Sequence, residues 1–154
     1  LMVGAHVAHD CIVDDHVILV NNATLGGHVH VGEWGIIGGL SAIHQFVRVG
    51  KHAMIGGMSG VEQDVIPYGS VTGNRARLQG LNIVGLRRRS FSRDDIHEMR
   101  KAYRLIFAAE GTMAERLEDV AEDFGNNEAV MDILQFIRAN TSRAICQPAM
   151  DDAA

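Results

Sequence analysis

Cysteine is scarce in this sequence, and the two that occur, Cys11 and Cys146, stand far apart. Neither fits a CxxC or zinc-finger spacing, so a disulfide framework and a structural zinc site are excluded. Long apolar runs are also lacking. None approaches the ~20 residues of a membrane span, so no membrane insertion is expected. A strong excess of positive charge is absent too: the formal net charge is −5, which gives no case for nucleic acid or a membrane surface as partner. No secretory leader opens the chain, and reduced thiols make a cytoplasmic location the expectation. Leu1 stands inside a repeat, so the natural N-terminus is expected to precede it. Proline is rare, with two residues, whereas glycine supplies seventeen, clustered in the first half.

What the first half does contain is a strict period. Every sixth residue from Leu1 is aliphatic: Val7, Val13, Leu19, Leu25, Val31, Ile37, Ile43, Val49, Ile55 and Val61 follow. Pro67 breaks the series. Two residues before each aliphatic stands a small residue or Val, from Ala5 and Cys11 to Ala53 and Ser59. Six is neither the helical period nor simple alternation. It is the hexapeptide repeat of a left-handed parallel β-helix, in which three short strands make one 18-residue coil. The aliphatic and the small residue point inward. Glycine after the aliphatic (Gly26, Gly32, Gly38, Gly50, Gly56) is expected to relieve crowding and to permit unusual φ at corners. Coils stack at about 4.8 Å. Residues 18 apart therefore share a column: His9, Gly27 and Gln45 form one, and Asp10, His28 and Phe46 the next.

The coils are expected over 1–66 and a loop-rich junction over 67–91, punctuated by Gly73, Gly80 and Gly85. A small helical domain follows over 92–140. Its first helix opens at Ser92 with Asp95 as a capping-box partner and closes at Gly111, with Ile96, Met99, Tyr103, Ile106 and Phe107 on one apolar face. A second helix runs from Met113 to Phe124 between Thr112 and Gly125, and a third from Glu128 to Asn140. Residues 141–154 have no pattern and are expected to form a flexible tail.

Several runs are more specific than the period. Ala5-His6-Val7-Ala8-His9-Asp10-Cys11, Asn21-Asn22-Ala23-Thr24-Leu25, Gly27-His28-Val29, Ile36-Ile37-Gly38-Gly39, His44-Gln45-Phe46 and the stretch from Asn82 through Arg87-Arg88-Arg89 to Ser92 all resemble the UDP-N-acetylglucosamine acyltransferase family of lipid A synthesis. The resemblance extends to about Arg143. The family's chain is longer at its N-terminus, and part of its substrate site lies in coils with no counterpart here.

The resemblance implies transfer of a (3R)-3-hydroxyacyl chain from acyl carrier protein to the 3-hydroxyl of UDP-N-acetylglucosamine. It makes His9 the general base, Asp10 its carboxylate partner and Gly27 the backbone oxyanion donor. His6, His28, His44 and Gln45 match cleft positions, and Asn82, Arg88 and Arg89 match contacts to the nucleotide, where guanidinium groups suit a diphosphate. Gly57 matches the acyl-chain ruler, beside Met54, and a glycine there implies a longer chain. Val84 and Arg75 depart from the family pattern, which bears on the nucleotide contacts. His16, His30 and His52 match no role and are expected at corners. No cofactor is implied beyond the carrier's phosphopantetheine thioester, and no metal. A homotrimer with sites between neighbours is implied. Arg87, Arg88, Arg89, Arg93, Arg100, Lys101 and Arg104 form a basic block suited to docking the acidic carrier. The competing readings are another hexapeptide acyl- or acetyltransferase, which the run from Asn82 to Ser92 disfavours, and an inactive truncated solenoid serving as an interaction module.

Overall fold

The computed structural model describes residues 1–139 and 142–149. Ten two-residue strands, β1 (His6–Val7), β2 (Ile12–Val13), β3 (Ile18–Leu19), β4 (Thr24–Leu25), β5 (His30–Val31), β6 (Ile36–Ile37), β7 (Ala42–Ile43), β8 (Arg48–Val49), β9 (Met54–Ile55) and β10 (Gly60–Val61), wind into the β-helix that the period implies. They stack into three parallel faces. Face A is β1-β4-β7-β10, face B is β2-β5-β8, and face C contains β3-β6-β9. The register is eighteen residues throughout these strands: Val7 pairs with Leu25, and Leu25 with Ile43. Leu19, Leu25, Val31, Ile37 and Ile55 are fully buried in the interior. Each contributes roughly 1.5–3 kcal/mol by leaving water.

The corners work differently from the expectation. After Gly4 (φ 72), the left-handed backbone falls on non-glycine residues, at every sixth position: Asp10 (φ 58), His16 (61), Asn22 (59), His28 (59), Trp34 (63), Leu40 (59), Phe46 (65), His52 (58) and Met58 (59). Such a conformation costs an L-residue about 1–2 kcal/mol. The glycines after each aliphatic have ordinary φ and are required by crowding alone. A Cβ on Gly38 would lie 2.6 Å from the backbone nitrogen of Gly57 in the next coil, and one on Gly26 would lie 2.8 Å from that of Gln45.

The junction over 67–91 is not a loop. It holds β11 (Gly69–Thr72), β12 (Arg77–Leu81) and α1 (Ile83–Arg88). β11 extends face C, with Val71 beside Ile55, and β12 closes it as an antiparallel hairpin. Solenoid winding thus passes the expected boundary at 66. The period hides this because the phase slips by two: Val65 bridges Val49 and Val71 pairs with Ile55, each partner sixteen residues back.

Three helices pack beyond the coils: α2 (Arg93–Ile106), α3 (Met113–Phe124) and α4 (Glu128–Arg138). Ile96, Met99, Ala102 and Ile106 of α2 join Leu117, Val120, Val130, Ile133 and Leu134 in the core. α2 ends on Phe107, and Gly111 takes its left-handed turn (φ 72) four residues later. Ser92 accepts from Asp95 N at 3.0 Å. The reciprocal capping box is found at α3 instead, where Thr112 and Glu115 exchange bonds of 3.1 and 3.2 Å. Glu reaches back to the cap; the shorter Asp does not.

The expected tail is tied down over part of its length. Ile145 bridges Asp64, and Pro148 bridges Leu78. Cys146 is 1% exposed, with its thiol 3.1 Å from Ala76 O, and burial pushes that thiol up to about 11. Two isolated bridges and one buried thiol carry too little periodicity to register as an element. Asn140, Thr141 and 150–154 lie outside the described residues. A buried ion pair locks coils to helices: Asp64, fully buried, accepts from Arg48 N, Nε and Nη2 at 2.8, 3.0 and 2.9 Å. The same guanidinium lies 3.9 Å over the Phe136 ring of α4.

Candidate active site

The corner between faces A and B gathers the first group of residues. His9 precedes the left-handed Asp10, and the turn points the two side chains at each other. His9 Nδ1 lies 2.8 Å from Asp10 Oδ2. This bond, followed by the positive field of His28, holds the Asp10 carboxyl below the usual carboxylate range, with desolvation opposing them. An ionised Asp10 fixes the tautomer of His9 with Nδ1 protonated, which leaves Nε2 as the basic nitrogen.

One coil on, Gly27 lies under that imidazole. A Cβ at this position would be 2.7 Å from both Cε1 and Nε2 of His9. The glycine therefore leaves the space in which Nε2 is open. Among the described residues the Gly27 N–H donates to no protein group. The same holds for Gln45 in the column, so what distinguishes Gly27 is that it joins an unspent N–H to the space left at His9 Nε2 by its missing Cβ.

His28, in the next column, lies edge-on to His9 (centroids 5.1 Å apart) and stacks on Phe46 (4.7 Å). Its Nε2 is 3.8 Å from Asp10 Oδ2. The ligand-type atoms of His9, Asp10 and His28 all lie within 4.8 Å of one another. His6 stands on β1, three residues before His9, and Gln45 completes the column of His9 and Gly27. His44 faces outward at the end of β7 and receives a 2.6 Å bond from Arg143 Nη2 to its Nδ1. A guanidinium only donates, so Nδ1 accepts from Arg143; the longer 3.3 Å approach of Gln45 O to the same nitrogen is then a contact without a proton between them. Arg143 is a site neighbour that sequence reasoning missed. It comes from beyond the last helix, where no periodicity signals a return to face A.

The second group stands elsewhere. Asn82 caps α1, accepting from Gly85 N at 3.1 Å, and donates through Nδ2 to His52 O at 3.0 Å. Arg89 closes the same helix, its guanidinium 4.6 Å over the Trp34 ring. These contacts belong to the corner between faces B and C, where His16, Trp34, His52 and Tyr68 stack in a column of rings. Burial, then the Arg89 charge, lowers the basicity of His52. Burial, then the 2.6 Å bond to Asp132, raises the phenol of Tyr68. Arg88 is exposed. His30 is not at a corner: it lies on β5 and binds Asp14 Oδ2 at 2.9 Å. Val84 is exposed on α1, and Arg75 pairs with Glu62 at 2.9 Å.

Within one chain, then, His9, Asp10 and Gly27 occupy one corner, and Asn82, Arg88 and Arg89 are built on the next. Gly57 lies at the third corner, in the column of Asn21 and Gly39, with Met54 on face C three residues earlier. The basic block faces solvent at Arg87, Arg88, Arg93, Arg100, Lys101 and Arg104, and a cleft of about 580 Å³ runs between Arg87, Phe91 and Arg100. A cleft of about 660 Å³, lined by Tyr103, Phe107 and Pro148, lies away from all three corners. No helix among the described residues is long and apolar enough to cross a membrane.

Residues 64–146 match the family model described as UDP-N-acetylglucosamine O-acyltransferase, domain 2. Over 147 residues the chain is 57% identical to the acyl-[acyl-carrier-protein]–UDP-N-acetylglucosamine O-acyltransferase of Caulobacter vibrioides, covering 96% of this chain and 56% of that one. The corresponding protein of Agrobacterium fabrum is 45% identical over 96% of this chain and 55% of its own. Among solved structures, the UDP-N-acetylglucosamine O-acyltransferase of Moraxella catarrhalis superposes with a TM-score of 0.90 at 37% identity, over 96% of this chain and 57% of that one. The Arabidopsis UDP-N-acetylglucosamine acyltransferase gives 0.88 at 41%, over 93% and 53%. The chain spans about half the length of the curated relatives it matches.

Proposed function

Because the chain belongs to the UDP-N-acetylglucosamine O-acyltransferase family, we propose that it transfers a (3R)-3-hydroxyacyl chain from acyl carrier protein to the 3-hydroxyl of UDP-N-acetylglucosamine, the opening step of lipid A assembly. One observation carries the reading: His9 is held through Nδ1 by Asp10, and its other nitrogen opens over a glycine whose N–H is unspent.

The chemistry follows from those atoms. His9 Nε2 takes the proton of the sugar hydroxyl as its oxygen attacks the thioester carbonyl. A C–O bond forms, and negative charge gathers on the carbonyl oxygen, where the Gly27 N–H stabilises it. Asp10 balances the imidazolium. The C–S bond then breaks, and the proton on His9 passes to the departing phosphopantetheine sulfur. No other cofactor and no metal enters these steps. His6, His28, His44 and Gln45 line the approach to His9, and Arg88 and Arg89 meet the diphosphate, with Asn82 beside them. Gly57 and Met54 set the length of the acyl chain.

The two groups of residues lie on separate corners, which supports a homotrimer in which one copy's His9 corner meets the next copy's Arg89 corner. The basic block docks the acidic carrier, in the cytoplasm where carrier and sugar nucleotide are found together. Transfer of 3-hydroxyacyl groups from acyl carrier protein to UDP-N-acetylglucosamine is the test. Turnover is expected of the chain joined to the further N-terminal coils that its relatives carry, and His9→Ala in that protein should lose activity about 10²–10⁴-fold with its fold and mass in solution unchanged. Retained transfer in His9→Ala would overturn the assignment of the base.

A further inference from the structure

The corner between faces B and C holds an arrangement that the proposed steps leave unexplained. Among the described residues, the buried side-chain nitrogen and oxygen atoms without a partner are His52 Nδ1 and Arg89 Nε, and both belong to this corner. Among the described residues the half-buried Arg89 guanidinium makes one protein hydrogen bond, a long 3.4 Å contact from Nη1 to Gly85 O. A guanidinium carries five donors and loses much of its hydration on burial. Most of the donors here are uncommitted, so what holds the group is mainly the face of Trp34, 4.6 Å away. Indole is the strongest aromatic partner for a cation.

Trp34 is itself held in place. His16 stacks against its ring at 4.1 Å and 15°, and His52 lies nearly parallel beyond it at 6.4 Å and 16°. His52 is braced in turn by Tyr68 and Phe91. The indole therefore cannot swing away. A cation over it is held in position while its Nη groups keep uncommitted donors; Nε itself is buried. That is how a planar bidentate donor is prepared for a phosphate.

We propose that Trp34 is a positioning residue for the sugar nucleotide: it holds Arg89 ready for the diphosphate and touches no substrate itself. This rests on the reading of Arg89 as a diphosphate contact. Because Trp34 is the chain's single tryptophan, its emission reports directly on the state of Arg89.

The experiment titrates the chain with UDP and, separately, with uridine, following tryptophan fluorescence and calorimetry. UDP should change the emission of Trp34, and uridine, lacking phosphates, should not. Trp34→Leu should weaken UDP about tenfold and leave uridine unchanged, while Trp34→Phe, which keeps a ring face, should recover most of the loss. Trp34→Leu combined with Arg89→Ala should bind UDP no more weakly than Arg89→Ala alone, since Trp34 acts through Arg89. Circular dichroism checks that each variant is folded; if Trp34→Leu is not, the fluorescence response of the unmodified chain and the Trp34→Phe titration decide. Unaltered emission on UDP binding, equal losses for UDP and uridine, or an additive double variant would overturn the proposal while leaving the Arg89 reading intact. Failure of the unmodified chain to bind UDP would overturn that reading and the proposal with it.

Discussion

An alanine methyl at position 27 would lie 2.7 Å from two ring atoms of His9. The His9 side chain is 73% exposed and can swing aside, so Gly27→Ala should cost little stability. It should still misplace the basic nitrogen, and a shift of about 1 Å is worth about 10²-fold in rate. We expect kcat for transfer to fall by that order in Gly27→Ala, with the melting temperature nearly unchanged. Asp10 gives a second test. Its carboxyl is held below the usual range, chiefly by the His9 bond. A depressed folded-state pKa means the pair is fully present above the ordinary carboxylate value and is lost as pH falls through the depressed one. The carboxyl carbon of Asp10 should therefore titrate below an ordinary aspartate by NMR, and should move up in His9→Ala. At position 57 an added Cβ would meet Gly39 O at 3.3 Å, a far milder contact than the 2.6 Å found at Gly38. Gly57→Met should therefore fold and shift transfer toward shorter acyl chains; an unchanged chain profile would remove the ruler role. The residue columns were legible in sequence because one coil is eighteen residues, so His9 over Gly27 could be read by counting. Trp34 and Arg143 were not legible. Each touches a residue far away in the chain, Arg89 and His44 respectively, and neither sits in a motif that names its partner.

At the scale of elements, the β-helix was legible because its interior repeats one demand, an aliphatic every sixth residue. The junction was not, because a two-residue phase slip between Val61 and Val65 disguises a continuing face C. Helices α2 to α4 announce themselves by caps and apolar stripes, since Ser92, Thr112 and Asn127 each accept from the third residue beyond. Beside the shared apolar core, a polar contact fastens those helices to the coils, and it gave no periodic signal. Asp64 is fully buried, and its partner Arg48 reaches both Phe136 O (3.1 Å) and its ring. Removing one partner of such a pair leaves the other charge buried and typically costs 3–5 kcal/mol. Asp64→Ala should lose about that much in denaturant unfolding. A loss below about 1 kcal/mol would mean that the contact is dispensable.

For the molecule as a whole, the decisive feature is that a triangular solenoid has three corners and this one divides its candidate functional residues among them. His9, Asp10 and Gly27 take one corner, while Asn82, Arg88 and Arg89 take the next. Sequence alone could align each group with a family role. It could not show that the groups are apart, because separation in the fold depends on where α1 folds back, and that is decided by the Asn82 cap and the ring column. If neighbouring copies complete each other's sites, two variants broken at different corners should repair one another. The most direct measurement refolds His9→Ala together with an Arg88→Ala/Arg89→Ala variant and assays acyl transfer. Each variant alone should be nearly inactive. The mixture should recover about a quarter of the unmodified rate, the share of interfaces at which two intact corners meet in a random trimer. A mixture no more active than its parts would contradict a site shared between copies.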